Sequence, residues 1–374
     1  MMRFEPYPFE KLGAILDGIA PQTDPREIIK LTIGEPQFET PQNIQNALRD
    51  SAHLLCKYPP SGGEAFLKKA QMDFVKRRFG VELDSTQIIP TLGTREVLFN
   101  FPQFVFGALF PNNRTMAFPN PFYQIYEGGG IASNAEIIYM DLDGDFVPQI
   151  AESALKKVKL VILNSPNNPT GAVLSSEILQ EWVKKALECD FILLNDECYS
   201  EIYADGAPTS ILEASRAVGN DCFKNILCVN SISKRSSAPG LRSGFIAGDA
   251  EILAQYAQYR TYIGCAIPLP LQRASAVAWG DDESAEFFRQ KYAQNLRLAE
   301  DILQVPKIAQ TFYVWLKVGD DIAFTQELYA NEGILVLPGR FLGRGGAGSG
   351  FVRIALVYES EIIKNALQRI KSWI

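Results

Sequence analysis

The sequence has almost no histidine and no paired cysteines. His53 is the only histidine among 374 residues, and the six cysteines form no CxxC pair and no dense cluster. Zinc centres, cysteine–histidine nucleophile pairs and serine–histidine–aspartate triads all need histidine or neighbouring thiols. The composition therefore excludes most sites of these kinds, and we predict no metal site.

An excess of positive charge and long apolar runs are also missing. The chain carries 36 Lys and Arg against 43 Asp and Glu, a formal charge of −7, whereas nucleic-acid and anionic-membrane binders need a basic face. FPQFVFGALF (101–110) is far too short to cross a bilayer. The first residues lack the basic region, apolar core and small-residue cleavage site that follow one another in an export signal. We expect a cytoplasmic protein that binds neither nucleic acid nor membranes. A local basic pocket for a small anion stays compatible with this charge.

The apolar pattern of the middle of the chain predicts an α/β fold. Short strands that are apolar on both faces alternate with helical periodicity, which is typical of a mostly parallel sheet covered by helices on both sides. Ligands of such sheets bind beyond the strand ends. The predicted strands cover residues 87–91, 115–118, 136–140, 159–164, 191–196 and 225–231.

The pattern changes after about residue 280. A long helix over 283–303 is followed by strands over 311–318, 334–338 and 351–357, which predicts a smaller α+β domain. We predict a large domain over 42–280 and a small domain built from 1–41 and 281–374. The glycine-rich segment 339–350 is interpreted either as a mobile loop near a ligand or as a loose surface connection.

The stretch NSISKRSSAPGLRSGF (230–245) surrounds Lys234 with polar side chains at the end of a predicted strand. Taken alone, Lys234 would be interpreted as a solvated surface lysine. Ser231, Ser233 and Arg242 are, however, the donor types that hold a phosphate, and a lysine at a strand end can form a Schiff base. These neighbours make a functional role for Lys234 more plausible than a position on the solvated surface.

Further motifs follow other predicted strands. TLGTREVLF (91–99) opens a helix, where the turn is either a plain cap or an anion site. NSPNNPTG (164–171) and NDECY (195–199) end two neighbouring strands. Arg353 lies in the apolar strand FVRIALV, where a buried arginine needs either an anionic ligand or an internal salt bridge.

Together, and in this order along nearly the whole chain, these motifs resemble the pyridoxal-phosphate-dependent aminotransferases of class I/II, fold type I. The resemblance implies a seven-stranded, mostly parallel sheet with helices on both faces plus a smaller α+β domain. It implies pyridoxal 5'-phosphate as the cofactor and Lys234 as its Schiff-base partner and proton carrier. Asp196 would pair with the pyridine nitrogen, and Tyr199 and Asn168 would contact the 3'-oxygen.

The resemblance also implies the remaining site residues. The cofactor phosphate would be held by Gly93, Thr94 and Arg95, chiefly through their main chain, and by Ser231, Ser233 and Arg242. Tyr123 in PNPFYQIY would stack on the cofactor ring. Tyr58 in KYPPSGG would reach the active site of the neighbouring subunit of a homodimer. The substrate would be bound by Gly34, Asn168 and Arg353.

Four stretches, over 58–80, 94–105, 122–130 and 231–249, are most similar to the succinyldiaminopimelate aminotransferases of bacterial lysine biosynthesis. The implied reaction is ping-pong transfer of an amino group between L-glutamate and N-succinyl-2-amino-6-oxopimelate. The NSPNN segment of this chain departs from the CSPGNPTG motif associated with that group. Aspartate, alanine or an aromatic amino acid as substrate, or a C–S lyase reaction, stay open as alternatives. Candidates for cationic contacts to the distal substrate group are Arg95, Arg340 and Arg344.

Overall fold

The computed structural model describes residues 4–22, 24, 28–307 and 310–374. Its strands, in chain order, are β1 (Ile29–Lys30), β2 (Ile88–Thr91), β3 (Thr115–Asn120), β4 (Glu136–Asp141), β5 (Leu160–Asn164), β6 (Ile192–Asp196), β7 (Ile226–Ser231), β8 (Gly244–Gly248), β9 (Tyr313–Lys317), β10 (Ile334–Leu335), β11 (Leu337–Pro338) and β12 (Phe351–Ala355).

The α-helices alternate with these strands through the middle of the chain. They are α1 (Pro8–Leu16), α2 (Gln42–Asp50), α3 (Ala65–Phe79), α4 (Thr94–Phe104), α5 (Ile125–Ala132), α6 (Glu152–Leu155), α7 (Ser176–Cys189), α8 (Ile211–Ala217), α9 (Ile232–Arg235), α10 (Ala250–Arg260), α11 (Leu269–Gly280), α12 (Asp282–Leu303), α13 (Asp321–Glu332) and α14 (Ser360–Lys371). Among the residues described, no helix combines the length and apolarity needed to span a bilayer.

The central sheet has seven strands in the order β2-β8-β7-β6-β5-β3-β4. Strand β8 runs antiparallel to both of its neighbours, and the other pairs are parallel. The α/β fold with a mostly parallel seven-stranded sheet is therefore confirmed. The pattern along the sequence did not indicate β8 as a strand, because two of its five residues are glycines, which weaken a strand signal.

Both faces of the sheet are buried in apolar clusters. In β5, Val161 and Leu163 pack into one cluster, while Leu160 and Ile162 pack into the other. This alternation follows from the pleat, which points successive side chains to opposite faces. One cluster includes side chains of α3, α7, α8 and α11, and the other includes side chains of α4 and α10.

The remaining strands form two smaller sheets. Strands β11, β12 and β9 form a three-stranded antiparallel sheet, and β1 pairs in parallel with β10. Apolar side chains of β9, β10 and β12 share a separate cluster with α12 and α14, whereas Leu337 of β11 packs with Leu12 and Leu342. The prediction of one strand over 334–338 was wrong, because the chain changes sheet at the buried Val336. The domain boundaries at residues 42 and 280 stay predictions.

The glycine-rich segment 339–350 is held by specific contacts. The carbonyl oxygen of Leu342 accepts a hydrogen bond of 2.8 Å from the N–H of Phe122. A Cβ at Gly339 would lie 2.3 Å from the carbonyl oxygen of Gly348, so the segment folds tightly on itself. The interpretation as a loose surface connection was therefore wrong. Leu342 also lines the cavity at the end of the central sheet, which agrees with a position near a ligand.

Candidate active site

A cavity of about 330 Å³ lies at the carboxyl edge of the central sheet. Strands β5, β6 and β7 end there at Asn164, Asp196 and Ser231, as expected for the ligand site of a parallel sheet. Of the predicted site residues, those that line the cavity are Gly34, Thr94, Arg95, Tyr123, Asn168, Asp196, Tyr199, Ser231, Ser233, Lys234, Arg242 and Arg353.

Two predicted residues lie outside that lining. Gly93 sits directly before α4, in contact range of the Arg242 guanidinium. Tyr58 is fully exposed in the single chain and contributes nothing to the cavity of its own subunit. Its predicted role depends on a second subunit and stays a prediction.

Lys234 lies in the short helix α9 directly after β7. The Ser231 hydroxyl begins this helix by accepting a hydrogen bond of 3.2 Å from the Ser233 N–H. The Lys234 amine donates to the carbonyl oxygen of Gly34. Burial lowers the pKa of Lys234 to about 8. An amine with this pKa is available unprotonated near neutral pH, as a nucleophile or a proton acceptor must be.

Asp196 is a buried carboxylate without a cationic partner among the described residues. Its Oδ2 accepts a hydrogen bond of 2.9 Å from the Tyr126 hydroxyl, and its Oδ1 accepts one of 3.2 Å from the Cys198 N–H. Burial raises the pKa of Asp196. A buried carboxylate with only neutral donors suits a ligand that brings a positive charge or a proton.

Tyr126 was not among the predicted site residues. The signal that could have found it is its place in the same aromatic motif, PNPFYQIY, in which it follows Tyr123 by three residues.

The turn between β2 and α4 forms a candidate anion site. Gly93 adopts φ 74°, and a Cβ there would lie 2.2 Å from Nη2 of Arg242, so only glycine fits. The first N–H groups of α4 have no partners within the helix, and the helix dipole favours an anion beside them. Arg242 donates to the carbonyl oxygens of Pro239 at 2.9 Å and Leu92 at 3.4 Å. It forms no ion pair with a described carboxylate, so its charge is free to bind an anion.

Arg353 is a second arginine without a described carboxylate partner. It is only 5% exposed, and it donates to Oδ1 of Asn168 and to the carbonyl oxygen of Thr32, both at 2.6 Å. Its Nε has no hydrogen-bond partner among the residues that the structure describes. A buried, incompletely paired guanidinium is costly unless an anion binds it. The structure therefore excludes a salt bridge to any described carboxylate and favours an anionic ligand.

Tyr313 joins the predicted residues at this point of the cavity. Its hydroxyl lies 3.0 Å from that of Tyr199, and the centre of its ring is 4.4 Å from Cζ of Arg353. A Cβ at Gly34 would lie 1.9 Å from the Tyr313 hydroxyl, which explains the glycine. Tyr313 carried no motif signal, because an aromatic residue in an apolar strand is normally interpreted as core.

The three arginines considered for the distal substrate group differ in their partners. Arg340 pairs with Asp321 through Nε at 2.7 Å, and Arg344 pairs with Glu127 through Nε at 2.8 Å. Both charges are therefore neutralised, so these two candidates are not supported by the structure. Arg95 lines the cavity.

The residues of this cavity fit pyridoxal phosphate. The free Arg242 guanidinium beside the α4 N-terminus suits a phosphate, and the buried Asp196 suits a ring nitrogen that carries a proton. Lys234 supplies an amine of lowered pKa for an aldehyde. Because no Cβ fits at Gly93, no side chain there blocks an anion from the main-chain N–H groups of this turn.

Comparisons with known proteins agree with this chemistry. Residues 26–370 match the family model of aminotransferase class I and II. The chain is 33% identical over 351 residues to 4-dedimethylamino-4-oxo-anhydrotetracycline transaminase OxyQ of Streptomyces rimosus, covering 92% of this chain and 94% of that protein. It is 32% identical over 384 residues to the LL-diaminopimelate aminotransferase of Natranaerobius thermophilus, covering 98% and 96%.

The fold is shared over the whole chain with a solved structure. The crystal structure of aminotransferase AspB from Helicobacter pylori superposes with a TM-score of 0.97 at 51% identity, covering 100% of this chain and 99% of that chain. The match of the family model over most of the chain, together with these relatives, shows that the chain belongs to the class I and II aminotransferases, which depend on pyridoxal phosphate.

Proposed function

We propose that this aminotransferase transfers an amino group between L-glutamate and N-succinyl-2-amino-6-oxopimelate, a step of lysine biosynthesis. The observation that carries the proposal is the Arg353 guanidinium, which forms no ion pair with a described carboxylate and lies in the same cavity as the Lys234 amine. The similarity to LL-diaminopimelate aminotransferases supports a substrate of the amino dicarboxylate class. The similarity of four stretches to succinyldiaminopimelate aminotransferases supports the succinylated form.

Each cavity residue has a role in this proposal. When bound, pyridoxal phosphate supplies a sink for the electron pair left at the substrate Cα. Arg242 and the α4 N-terminus bind the phosphate, and Asp196 holds the proton of the ring nitrogen. Arg353 binds the α-carboxylate, which orients the Cα–H bond, and Nζ of Lys234 then takes the proton from Cα.

The proposal is tested by comparing acceptors with L-glutamate as the donor. We expect kcat/KM for N-succinyl-2-amino-6-oxopimelate to exceed that for oxaloacetate, pyruvate and aromatic 2-oxo acids by about tenfold or more, because each added charged contact contributes roughly that factor. LL-diaminopimelate is included as a donor because relatives carry that name. A preference for another acceptor contradicts the proposed substrate. Release of pyruvate and ammonia without an acceptor would instead indicate a lyase.

The role of Lys234 is tested in the same assay. Lys234→Arg keeps the charge but removes an amine that can lose its proton, so we expect turnover to fall by about 10³-fold or more. Lys224→Arg, at an exposed lysine outside the cavity, is the matched control and should keep full activity. Retained turnover in Lys234→Arg would refute the assignment of the proton transfer to this residue.

A further inference from the structure

We infer that Tyr313 is a positioning residue of this site, which orients the Tyr199 hydroxyl towards the cofactor and the Arg353 guanidinium towards the substrate carboxylate. This inference rests on the proposed function, because the roles of Tyr199 and Arg353 are themselves proposals. It adds one residue of β9 that would align the cofactor contact with the substrate contact.

The Tyr313 hydroxyl is paired with the Tyr199 hydroxyl. The two oxygens lie 3.0 Å apart, and both side chains are buried and line the cavity. Among the described residues, neither hydroxyl has another hydrogen-bond partner. A hydroxyl has one hydrogen to donate. Tyr199 can therefore donate to the 3'-oxygen of the cofactor and keep this contact only if Tyr313 is the donor within the pair.

The Tyr313 ring is stacked against Arg353. In the antiparallel pair of β9 and β12, Tyr313 lies opposite Ala355 and Arg353 lies opposite Trp315, so Tyr313 and Arg353 are diagonal neighbours on one face of the sheet. Cζ of Arg353 lies 4.4 Å from the centre of the ring. An aromatic ring at this distance attracts a guanidinium, most strongly away from water. The ring therefore restrains the guanidinium without neutralising its charge.

The main chain of the N-terminal segment also contacts Tyr313. A Cβ at Gly34 would clash with the Tyr313 hydroxyl, so the phenol packs directly against this glycine. The carbonyl oxygen of Gly34 in turn accepts a hydrogen bond from the Lys234 amine. A single phenol thus contacts three residues that are assigned to the cofactor or to the substrate.

Packing alone does not account for the Tyr313 hydroxyl. The side chain belongs to the apolar cluster of the smaller sheets, where the ring of a phenylalanine would fill nearly the same space. Burying a hydroxyl costs free energy unless it forms a hydrogen bond. The hydroxyl and the ring therefore have separable roles, which two different substitutions can test.

The first experiment removes the hydroxyl with Tyr313→Phe. The full-length protein is loaded with pyridoxal phosphate, or with 3-deoxypyridoxal 5'-phosphate, which lacks the 3'-oxygen, and equilibrium dialysis gives the two dissociation constants. We expect Tyr313→Phe to bind pyridoxal phosphate about two- to tenfold more weakly than the wild type does, the range of a neutral hydrogen bond. The 3-deoxy compound should bind both proteins alike, because it offers the Tyr199 hydroxyl no acceptor.

The matched control for this experiment is Tyr292→Phe. Tyr292 is a buried tyrosine of the same apolar cluster, and it does not line the cavity. Removing its hydroxyl should leave the affinities for both cofactors unchanged.

The second experiment removes the ring with Tyr313→Met in the cofactor-loaded protein. Aminooxyacetate and O-methylhydroxylamine both react with the cofactor aldehyde, but only aminooxyacetate carries a carboxylate for Arg353. The absorbance of the bound cofactor gives both second-order rate constants. We expect Tyr313→Met to lower the ratio of the aminooxyacetate rate constant to the O-methylhydroxylamine rate constant about threefold or more. Tyr313→Phe keeps the ring and should keep the wild-type ratio. Tyr313→Leu replaces Tyr313→Met if thermal unfolding shows that the methionine variant is not folded.

The outcomes separate this inference from the proposed function. Equal weakening of both cofactors in Tyr313→Phe, or unchanged binding of pyridoxal phosphate, would overturn the role of the hydroxyl. An unchanged ratio of the two rate constants in the variant without the ring would overturn the role of the ring. Neither measurement uses an amino acid or a 2-oxo acid, so a preference for another acceptor refutes the proposed substrate and leaves both results valid.

Discussion

At the scale of single residues, Lys234 lies in an environment that is unfavourable for its positive charge. Burial lowers its pKa to about 8 from 10.5. Between these pH values the unfolded chain binds more protons than the folded, cofactor-free chain, so the free energy of unfolding rises with pH in this window. Below pH 8 both states are protonated, and the folded state carries a cost of about 3 kcal/mol for this shift.

We therefore expect Lys234→Met to unfold with a higher free energy than the wild type at pH 7 when both lack the cofactor. The difference should shrink as the pH rises from 8 to 10.5, because the wild-type amine loses its charge there. Urea unfolding at several pH values measures this difference. Lys224→Met, at an exposed lysine, should show no such trend. A difference for Lys234→Met that stays constant with pH would contradict the lowered pKa.

Residues with a distinctive chemical type could be predicted from the sequence, whereas their neighbours could not. Arg353 stands out because a charged side chain within an apolar strand needs a partner, and Lys234 and Asp196 were assigned through motifs that resemble those of the family. Tyr126 and Tyr313 contact Asp196 and Arg353, but aromatic residues in apolar stretches are usually core. The partners of Arg340 and Arg344 depend on long-range packing, which local patterns do not show.

At the scale of elements, the junction between β2 and α4 combines a steric and an electrostatic requirement. Gly93 has φ 74° and ψ 169°, a conformation that is strained for other residues by about 1–3 kcal/mol. An alanine Cβ would also push against the Arg242 guanidinium. Both effects would move the first turn of the helix away from the phosphate.

We expect Gly93→Ala to weaken pyridoxal phosphate binding about tenfold or more and to lower the free energy of unfolding by about 1–3 kcal/mol. Fluorescence titration of the cofactor-free protein and urea unfolding measure these two quantities. Gly280→Ala is the control, because an added Cβ there meets nothing within 4 Å. Unchanged cofactor affinity in Gly93→Ala would show that this turn does not form the anion site.

Most helices and strands could be predicted because the spacing of their apolar residues is visible within a short stretch of sequence. The six predicted strands of the central sheet agree with the structure to within two residues at each end. The exceptions have physical causes. Strand β8 has few side chains to carry a pattern, and the run 334–338 is apolar throughout although β10 and β11 belong to different sheets. A uniformly buried run does not reveal which strand lies beside it.

At the scale of the whole molecule, the proposed homodimer would explain why the Tyr58 side chain is exposed in the single chain. This side chain is fully exposed in the single chain, and the family resemblance assigns it to the phosphate of the neighbouring subunit. One chain has a mass of 41.6 kDa, and light scattering should therefore report twice that mass. Tyr58→Phe should weaken pyridoxal phosphate binding about tenfold, the range of a hydrogen bond to a charged group.

The control for Tyr58 is Phe287→Ala, which removes another exposed aromatic side chain, on α12. It should leave the cofactor affinity unchanged. A monomer in solution, or a Tyr58→Phe variant with wild-type affinity, would refute the shared site. The proposal comes from the resemblance of the KYPPSGG motif to the family.

The parallel pairing of β1 with β10 has a consequence for biosynthesis. Ile29 lies beside Ile334, so the segment that leads to Gly34 gains this pairing only after the chain has been translated past residue 334. The parts that would hold the cofactor, from Gly93 to Arg242, are translated well before Arg353. The proposed substrate site therefore depends on a pairing between Ile29 and Ile334, which are far apart in sequence, whereas Gly93, Asp196, Lys234 and Arg242 of the proposed cofactor site lie closer together along the chain.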